Sequence, residues 1–259
     1  MQTILFTGAR SGIINKVIDS IIKDNYNIYV TVHTKEELKA VKNKYKQNKN
    51  VKCLKLDITN QKDKQQIEKL DIDILVSNAA IGISGSVAEI DINKIRENFE
   101  VNVFSNFELI QIALKNMIKK GKGKLIIMSS LAGIIPIPFL GSYCATKASI
   151  IKLSESLNLE LKLLNKNIKV SLIEPGLYNT GFNRLMLDQK YDQDINTYFK
   201  NQINLIRKSE NLTLRLFEKK KLKSITKKIT KAIKKENPKF VYRAPIFQSI
   251  FAKIYSILS

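Results

Sequence analysis

Tyr143 and Lys147 lie four residues apart in the segment GSYCATKASI (residues 141–150), a spacing that could carry acid–base chemistry. A phenol with a pKa of about 10 is a weak acid at neutral pH, and a nearby ammonium group makes its anion easier to form. In a helix, residues four apart share one face. The segment therefore predicts either a proton-donating tyrosine tuned by its neighbour or an unrelated pair on a solvated helix.

A second chemical pattern lies in the segment ILFTGARSGII (residues 4–14), where glycines follow a short apolar run and open a helical pattern. Gly8 can make a tight turn, and Gly12 lets the backbone approach a phosphate without a Cβ in the way. The N-terminus of the following helix offers N–H groups and a positive dipole end to a pyrophosphate. The pattern predicts a phosphate-binding turn, with an ordinary structural turn as the alternative.

The end of the second apolar run bears on which dinucleotide would bind. A chain that binds NAD usually has Asp or Glu here to hold the ribose hydroxyls, and an acid would repel a 2′-phosphate. This stretch has no acid before Glu36, and Arg10, His33 and Lys35 are close in sequence. We therefore predict NADP(H) as the preferred cofactor and NAD(H) as a second one. An ordinary exposed loop histidine is the alternative interpretation of His33.

Short apolar runs alternate with amphipathic stretches along most of the chain, which is typical of strand–helix–strand units with a parallel sheet. The predicted strands are residues 3–7, 28–32, 51–56, 72–76, 125–128 and 168–173. The predicted helices are residues 12–24, 35–46, 60–69, 93–119 and 143–165. We predict an α/β fold of the Rossmann type, a doubly wound parallel sheet in three layers, in one domain spanning residues 1–259.

The pattern changes after Pro175. Residues 181–235 are mostly helical in pattern, polar and rich in lysine, and a last short strand is predicted at residues 240–242. A C-terminal helix, residues 244–259, follows with apolar side chains at helical spacing. Such a stripe packs on the domain or on another subunit; the alternative is a helix lying on a membrane surface, a weak peripheral contact.

Composition limits the function classes. Two cysteines and no secretory signal indicate a reducing, cytoplasmic setting, and no run reaches the roughly 18 apolar residues of a membrane span. A single histidine gives no zinc-type cluster, so no metal is expected. The net charge is +21, and residues 200–259 hold 16 Lys and Arg against 3 Asp and Glu. This charge favours anionic partners or reflects a lysine-rich composition, and no nucleic-acid motif accompanies it.

Six ordered features then resemble the short-chain dehydrogenase/reductase family, over residues 3 to about 180. They are Thr7-Gly8-Ala9-Arg10-Ser11-Gly12, Leu56-Asp57-Ile58, Ser77-Asn78-Ala79-Ala80, Asn102, Ser129-Ser130, and Tyr143-Cys144-Ala145-Thr146-Lys147, followed by Pro175-Gly176 and Thr180. The stretch after Ser77 is more similar to the 17β-hydroxysteroid and retinol dehydrogenases than to the 3-oxoacyl carrier-protein reductases.

The resemblance implies four catalytic residues. Tyr143 would be the general acid/base, and Ser130 would hydrogen-bond the substrate oxygen, with Ser129 facing the other side of the strand. Lys147 would bind the nicotinamide ribose and lower the pKa of the tyrosine. Asn102 would hold a water molecule that links Lys147 to solvent.

The resemblance also implies a cofactor site. Asp57 and Ile58 would contact the adenine, while Pro175 and Gly176 would flank the nicotinamide and Thr180 would lie near its carboxamide. The full set is Gly8, Arg10, Ser11, Gly12, Ile13, His33, Asp57, Ile58, Asn78, Ala79, Tyr143, Lys147, Pro175, Gly176 and Thr180. Two departures from the family pattern are Ile14, where a third glycine is usual, and Ala80, where a glycine is usual.

The function implied is an NADP(H)-dependent oxidoreductase that interconverts a carbonyl and an alcohol on a hydrophobic small molecule. The alternatives are a 3-oxoacyl carrier-protein reductase and a non-catalytic cofactor-binding protein. Within residues 181–235, the part at 181–215 would form a mobile substrate lid. Helices near 98–119 and 143–165 resemble those that pair in family dimers and tetramers, so a homodimer or homotetramer is expected.

Overall fold

A parallel sheet of seven strands forms the centre of the molecule in the computed structural model, which describes residues 1–191 and 197–258. The strands are β1 (Gln2–Phe6), β2 (Tyr26–Val32), β3 (Val51–Lys55), β4 (Ile74–Ser77), β5 (Lys122–Met128), β6 (Asn167–Pro175) and β7 (Val241–Ala244). Their spatial order is β3-β2-β1-β4-β5-β6-β7. Strands are added on one side of β1 up to β3 and on its other side from β4 onward, and such a switch in strand order opens a crevice at the carboxyl ends of the strands.

Helices cover both faces of the sheet, joined by a π-helical segment (Glu100–Ser105) and a 3₁₀ turn (Leu131–Gly133). The α-helices are α1 (Gly12–Ile21), α2 (Lys35–Lys44), α3 (Gln61–Glu68), α4 (Ile92–Phe99), α5 (Asn106–Lys120), α6 (Gly141–Leu163), α7 (Phe182–Tyr191), α8 (Ile203–Phe217), α9 (Lys223–Lys234) and α10 (Ile246–Leu258).

The alternation of side chains along each strand divides the core into two layers. Ile4 and Phe6 of β1 lie in one core with side chains of α1, α2 and α9. Leu5, between them, lies in the other core with side chains of α3, α5 and α6. Ile14, the residue at the third glycine position, is fully buried in the first core. The predicted three-layer, doubly wound α/β fold is thus confirmed.

The prediction of one continuous helix at residues 93–119 is wrong, because the structure divides this stretch into two α-helices joined by the π-helical segment. The regular helix stops at Phe99, continues as the π-helical segment and resumes at Asn106. A π-turn widens the backbone by one residue per turn and is frequent at functional sites. It occurs here around Asn102, whose side chain bonds outside the helix.

In the part of the region after β6 that the structure describes, three helices, one strand and a final helix follow one another. α9 buries Ile225, Ile229, Ala232 and Ile233, whereas none of the residues of α8 is buried. Within the described residues, no helix is long and apolar enough to cross a membrane. Residues 192–196 of the predicted lid, and residue 259 of the predicted C-terminal helix, lie outside the described residues.

Candidate active site

The side chains of Ser130, Tyr143 and Lys147 meet at the carboxyl end of β5. α6 begins at Gly141, so Tyr143 and Lys147 lie one turn apart on the same face of that helix. The Lys147 Nζ atom is 5.6 Å from the centre of the Tyr143 ring, and Ser130 hydrogen-bonds the Tyr143 side chain. The structure therefore brings a hydroxyl, a phenol and an amine together in one place.

Burial controls the protonation of both titratable groups. Removal from water raises the pKa of the Tyr143 phenol well above its usual value, against the opposing hydrogen bond from Ser130. The same effect lowers the pKa of Lys147 to about 8. Burial therefore dominates the pKa of the phenol in this closed arrangement, and the expectation that Lys147 lowers that pKa stays a prediction.

Backbone contacts hold Ser130 and Lys147 in place. The Ser130 hydroxyl accepts a hydrogen bond from the Ala132 N–H at 3.1 Å and lies 3.4 Å from the Pro175 carbonyl oxygen. The neighbouring Ser129 hydroxyl donates to the Lys147 carbonyl at 3.0 Å. A Cβ at Gly133 would lie 2.7 Å from the Lys147 carbonyl carbon, so only glycine permits this close approach. The hydroxyls of Ser129 and Ser130 therefore make different contacts. Gly133 was not among the residues singled out from the sequence.

Asn102 positions the loop after β4 and not the lysine directly. Its side chain bonds the N–H and the carbonyl of Ile81, each at 2.9 Å, and reaches the Thr146 hydroxyl at 3.1 Å. Thr146 in turn donates to the Tyr143 carbonyl at 2.8 Å. Asn102 thus connects the loop to the catalytic helix, while its water-holding role stays a prediction.

Two further buried asparagines extend this contact, and the sequence analysis missed both. The Asn98 amide bonds the Ser142 hydroxyl at 2.9 Å, and the Asn106 amide donates to the Ala79 carbonyl at 2.8 Å. The signal in the sequence is the recurrence of asparagine every fourth residue at 98, 102 and 106. Buried amides at such a spacing need partners, so they indicate a polar contact rather than packing.

The turn after β1 leaves a helix N-terminus without a side-chain cap. Gly8 has a φ of +61°, and a Cβ there would lie 2.8 Å from the Ala79 Cα. Ser11 makes no capping hydrogen bond to α1, and the first turn of α1 holds no acid. The next three helices all have side-chain caps. The exposed N–H groups of α1 are therefore suited to a pyrophosphate.

Two polar contacts involving acids lie at this turn and at the end of β2. Arg10 pairs with Glu37 at 3.1 Å, and His33 lies 3.4 Å from Asp57. Glu37 also accepts hydrogen bonds from the backbone N–H groups of His33 and Thr34. Although partial burial opposes it, the bonds from Arg10 and the backbone lower the pKa of Glu37. An acid therefore does reach the end of β2, contributed by α2, and the sequence analysis missed it.

The remaining cofactor candidates separate into two groups. Asn78 donates to the Thr7 and Gly8 carbonyls, and the Ala79 N–H donates to the Thr7 hydroxyl, which ties β4 to the turn. Gly176 and Thr180 follow β6, and a Cβ on Gly12 would lie 3.9 Å from Thr180. Ile13 and Ile58 are different, since their side chains are buried in the two cores.

The helix α7 covers the tyrosine. The rings of Phe182 and Tyr143 are 5.8 Å apart, and Met186 packs in the same apolar cluster. The Ser84 hydroxyl donates a hydrogen bond to the Met186 carbonyl and so helps to hold α7 in place. Tyr143 is consequently only 7% exposed.

Comparison with known proteins identifies the family of this chain. The family model for short chain dehydrogenases matches residues 2–190. The chain belongs to the short-chain dehydrogenase family. It is therefore an oxidoreductase acting between alcohol and carbonyl groups with a nicotinamide cofactor.

The individual relatives share about a third or less of their sequence with this chain. The chain is 30% identical over 191 residues to a 3-oxoacyl-[acyl-carrier-protein] reductase of Rickettsia bellii, covering 73% of this chain and 78% of the relative. It is 31% identical over 187 residues to the 3-ketodihydrosphingosine reductase of Bacteroides thetaiotaomicron, covering 70% and 65%. A short-chain dehydrogenase from Sphingobium yanoikuyae in complex with NADPH has a TM-score of 0.74 at 20% identity, covering 100% and 95%. The hydroxysteroid or retinol branch stays a prediction.

Proposed function

We propose that this short-chain dehydrogenase interconverts a hydrophobic ketone and its alcohol with NADP(H) as the preferred cofactor. The observation that carries the proposal is the convergence of Ser130, Tyr143 and Lys147 at the carboxyl end of β5. The uncapped start of α1 would hold the pyrophosphate, and the segment from Pro175 to Thr180 would lie beside the nicotinamide. The cofactor supplies the hydride.

The residues of this chain handle the oxygen of the substrate. In the reductive direction, Ser130 donates a hydrogen bond to the carbonyl oxygen as negative charge develops there. Tyr143 gives that oxygen its proton, and its high pKa keeps the phenol protonated at neutral pH. Lys147 holds the ribose hydroxyls and stabilises the phenolate that forms. In the oxidative direction the same groups work in reverse, with Tyr143 as the base.

The preference for NADP(H) rests on Arg10, whose guanidinium lies at the turn after β1 and is 72% exposed. A 2′-phosphate would compete with Glu37 for this guanidinium, while NAD(H) would leave the ion pair intact. The NADPH bound by the Sphingobium neighbour agrees with this preference. Glu37 explains why NAD(H) is expected as a second cofactor.

The Glu37→Gln variant tests the cofactor preference. A glutamine at this position of the helix can still complete the capping box, so α2 keeps its start. We expect the ratio of kcat/KM for NADPH over NADH to rise at least about threefold, since one repulsive charge is removed. Glu36→Gln, one residue earlier and exposed, removes the same charge from α2 and is the control. Equal effects of the two variants, or a wild-type preference for NADH, would reject the assignment.

The apolar side chains around Tyr143 support a hydrophobic substrate. Ile137, Leu140, Phe182 and Met186 form one cluster with the tyrosine. The two relatives are named as reductases of 3-ketodihydrosphingosine and of a 3-oxoacyl group on the acyl carrier protein. The alternative, a 3-oxoacyl carrier-protein reductase, is favoured by the lysine-rich segment after α8, because acyl carrier proteins are acidic.

We further infer that α7 opens as a lid. Phe182 and Met186 close over Tyr143, so a substrate reaches the phenol only if this helix moves. One of the bonds between α7 and α8, from Arg184 to Asn211 at 3.0 Å, is exposed and therefore easy to break. The homodimer or homotetramer stays a proposal. Exposed apolar residues before α5 and on α6, including Phe104 and Leu159, support it.

The central test is turnover of a panel of long-chain ketones and 3-oxoacyl thioesters with NADPH. Tyr143→Phe should lower kcat at least about a thousandfold, because it removes the proton donor and leaves the ring in place. Tyr45→Phe is the matched control: its hydroxyl is also hydrogen-bonded and its ring is buried, but it lies beside α1 and α2. Wild-type turnover by Tyr143→Phe would reject the mechanism. Cofactor binding without turnover of any substrate would favour the non-catalytic alternative.

A further inference from the structure

The last helix, α10, packs with its small residues inward and its large apolar residues outward. Ser249 and Ala252 are its buried residues, whereas Phe247 is 70% exposed. The exposed apolar side chains are Ile246, Phe247, Ile250, Phe251, Ile254, Tyr255, Ile257 and Leu258. In α9, by contrast, the isoleucines face the core. An exposed apolar stripe of this size indicates an interaction surface.

A second apolar face lies beside the first. None of the residues of α8 is buried, and its leucines at 205, 212 and 216 lie exposed at helical spacing. Gln248 of α10 joins the two helices, since its amide nitrogen donates to the Phe217 carbonyl at 2.7 Å. Its amide oxygen accepts from the Leu177 N–H at 2.8 Å, directly after the Pro175-Gly176 pair. Both apolar faces therefore adjoin the carboxyl edge of the sheet, where the candidate active site lies.

Basic residues adjoin this apolar surface. Lys219, Lys220 and Lys221 come after Glu218, the residue that ends α8, and their side chains are exposed. The backbone of Lys219 bonds to Leu177 and Asn179, which holds the three lysines at the same edge. Residues 200–259 as a whole carry 16 basic and 3 acidic residues, a net charge of +13. The surface thus combines exposed aromatic and aliphatic side chains with strong positive charge.

We propose that α8, α10 and Lys219–Lys221 form a docking surface for an anionic lipid bilayer, with the helices lying in the headgroup region. Charge complementarity decides the occupant. A second copy would bring two strongly basic surfaces together, which is repulsive, whereas anionic headgroups attract them. Helices with an apolar face and basic flanks lie on membranes, and α10, at 13 residues, is too short to span one.

Docking in this way would turn the candidate active site toward the bilayer. Asn183 of α7 bonds Glu218 at the end of α8, so the helix over Tyr143 is attached to the docking surface. A hydrophobic ketone would then pass from the membrane to the site with little exposure to water. The docking surface itself does not depend on the proposed reaction, and its test needs no substrate.

The test is co-sedimentation of the full chain with vesicles of phosphatidylcholine, with or without about one third phosphatidylglycerol. We expect binding to the anionic vesicles at about 0.1 M salt, weakening at about 0.5 M, and little binding to phosphatidylcholine alone. The triple variant Lys219→Gln, Lys220→Gln, Lys221→Gln should bind at least about tenfold more weakly. The double variant Phe247→Ser, Phe251→Ser should lose at least about tenfold as well, because it removes the inserted rings.

Matched control variants distinguish binding through the proposed docking surface from a general effect of charge or hydrophobicity. Lys39→Gln, Lys46→Gln, Lys49→Gln removes the same charge from α2 and the loop after it. Leu163→Ser, Leu164→Ser removes exposed leucines at the end of α6, beside the opposite edge of the sheet. Both should bind as the wild type does. Absence of wild-type binding to anionic vesicles overturns the proposal, and so does an equal loss in the controls. A wild-type dimer in ultracentrifugation that Phe247→Ser, Phe251→Ser converts to monomers also overturns it, in favour of a second copy.

Discussion

Two lysines, Lys64 and Lys147, are almost equally buried, 2% and 3% exposed, yet their surroundings differ. Lys64 lies on α3 and forms an ion pair with Glu108 of α5. Lys147 lies on α6, and within the described residues no carboxylate pairs with it. Its contacts are the Met128 carbonyl at 3.4 Å and the ring of Tyr143.

The difference separates a structural role from a chemical one. Burying an ammonium group is costly unless a counter-ion compensates for the lost hydration. Glu108 provides that compensation for Lys64, with a further bond from Gln61 to the same carboxylate. Lys147 lacks it, and burial lowers its pKa to about 8. An uncompensated buried amine beside a phenol is typical of a site that uses the charge.

The Lys147→Met variant should show the largest loss of turnover, and it tests directly whether Lys147, unlike Lys64, has a chemical role. Turnover with NADPH should fall at least about a thousandfold, because the charge that holds the ribose and stabilises the phenolate is lost. The free energy of unfolding should stay equal or rise, since an apolar side chain replaces an unpaired amine. Steady-state kinetics and urea unfolding of the same preparation measure both quantities. A destabilised variant with normal turnover would show Lys147 to be structural.

The closeness of Tyr143 and Lys147 and the glycine turn before α1 could be predicted from the sequence because their spacing is local. Tyr143 and Lys147 share one helix, and Gly8 precedes the helix that it opens. The resemblance predicts a lid at residues 181–215, but the contacts of Phe182 and Met186 with Tyr143 could not be predicted, because they join distant segments. Burial of the phenol, which raises its pKa, likewise has no signal in the segment 141–150, and the lowering of that pKa by Lys147 stays a prediction.

Two ion pairs, Arg10 with Glu37 and Lys64 with Glu108, show the same limit. Glu37 forms a capping box with Thr34, which is visible in the sequence, but its bond to Arg10 joins residues 27 apart. Lys64 lies in the polar stretch QKDKQQIE, where nothing distinguishes a buried lysine from an exposed one. Its partner is 44 residues away. Long-range polar contacts of this kind require the fold before they can be assigned.

Glu108→Gln tests the other side of the comparison with a smaller effect. The variant leaves the Lys64 ammonium buried without its counter-ion, which should lower the free energy of unfolding by about 2 kcal/mol. The carboxylate is 40% exposed, so the loss should be less than for a fully buried pair. Turnover should remain normal below the melting temperature. The double variant Glu108→Gln, Lys64→Met should recover most of the stability, and failure to do so would mean that the ion pair is not what holds α3 to α5.

The smallest effect is a pH dependence that Lys147 alone should produce. Its pKa is about 8 in the folded chain and 10.5 in the unfolded chain. Between these values the unfolded chain binds more protons than the folded one, so stability rises with pH. From this group, the free energy of unfolding should increase by about 1 kcal/mol between pH 8 and pH 9, relative to the Lys147→Met variant. Urea unfolding of both proteins at several pH values measures the difference. Parallel pH profiles would mean that the folded chain keeps this amine fully charged, and the contrast with Lys64 would then be lost.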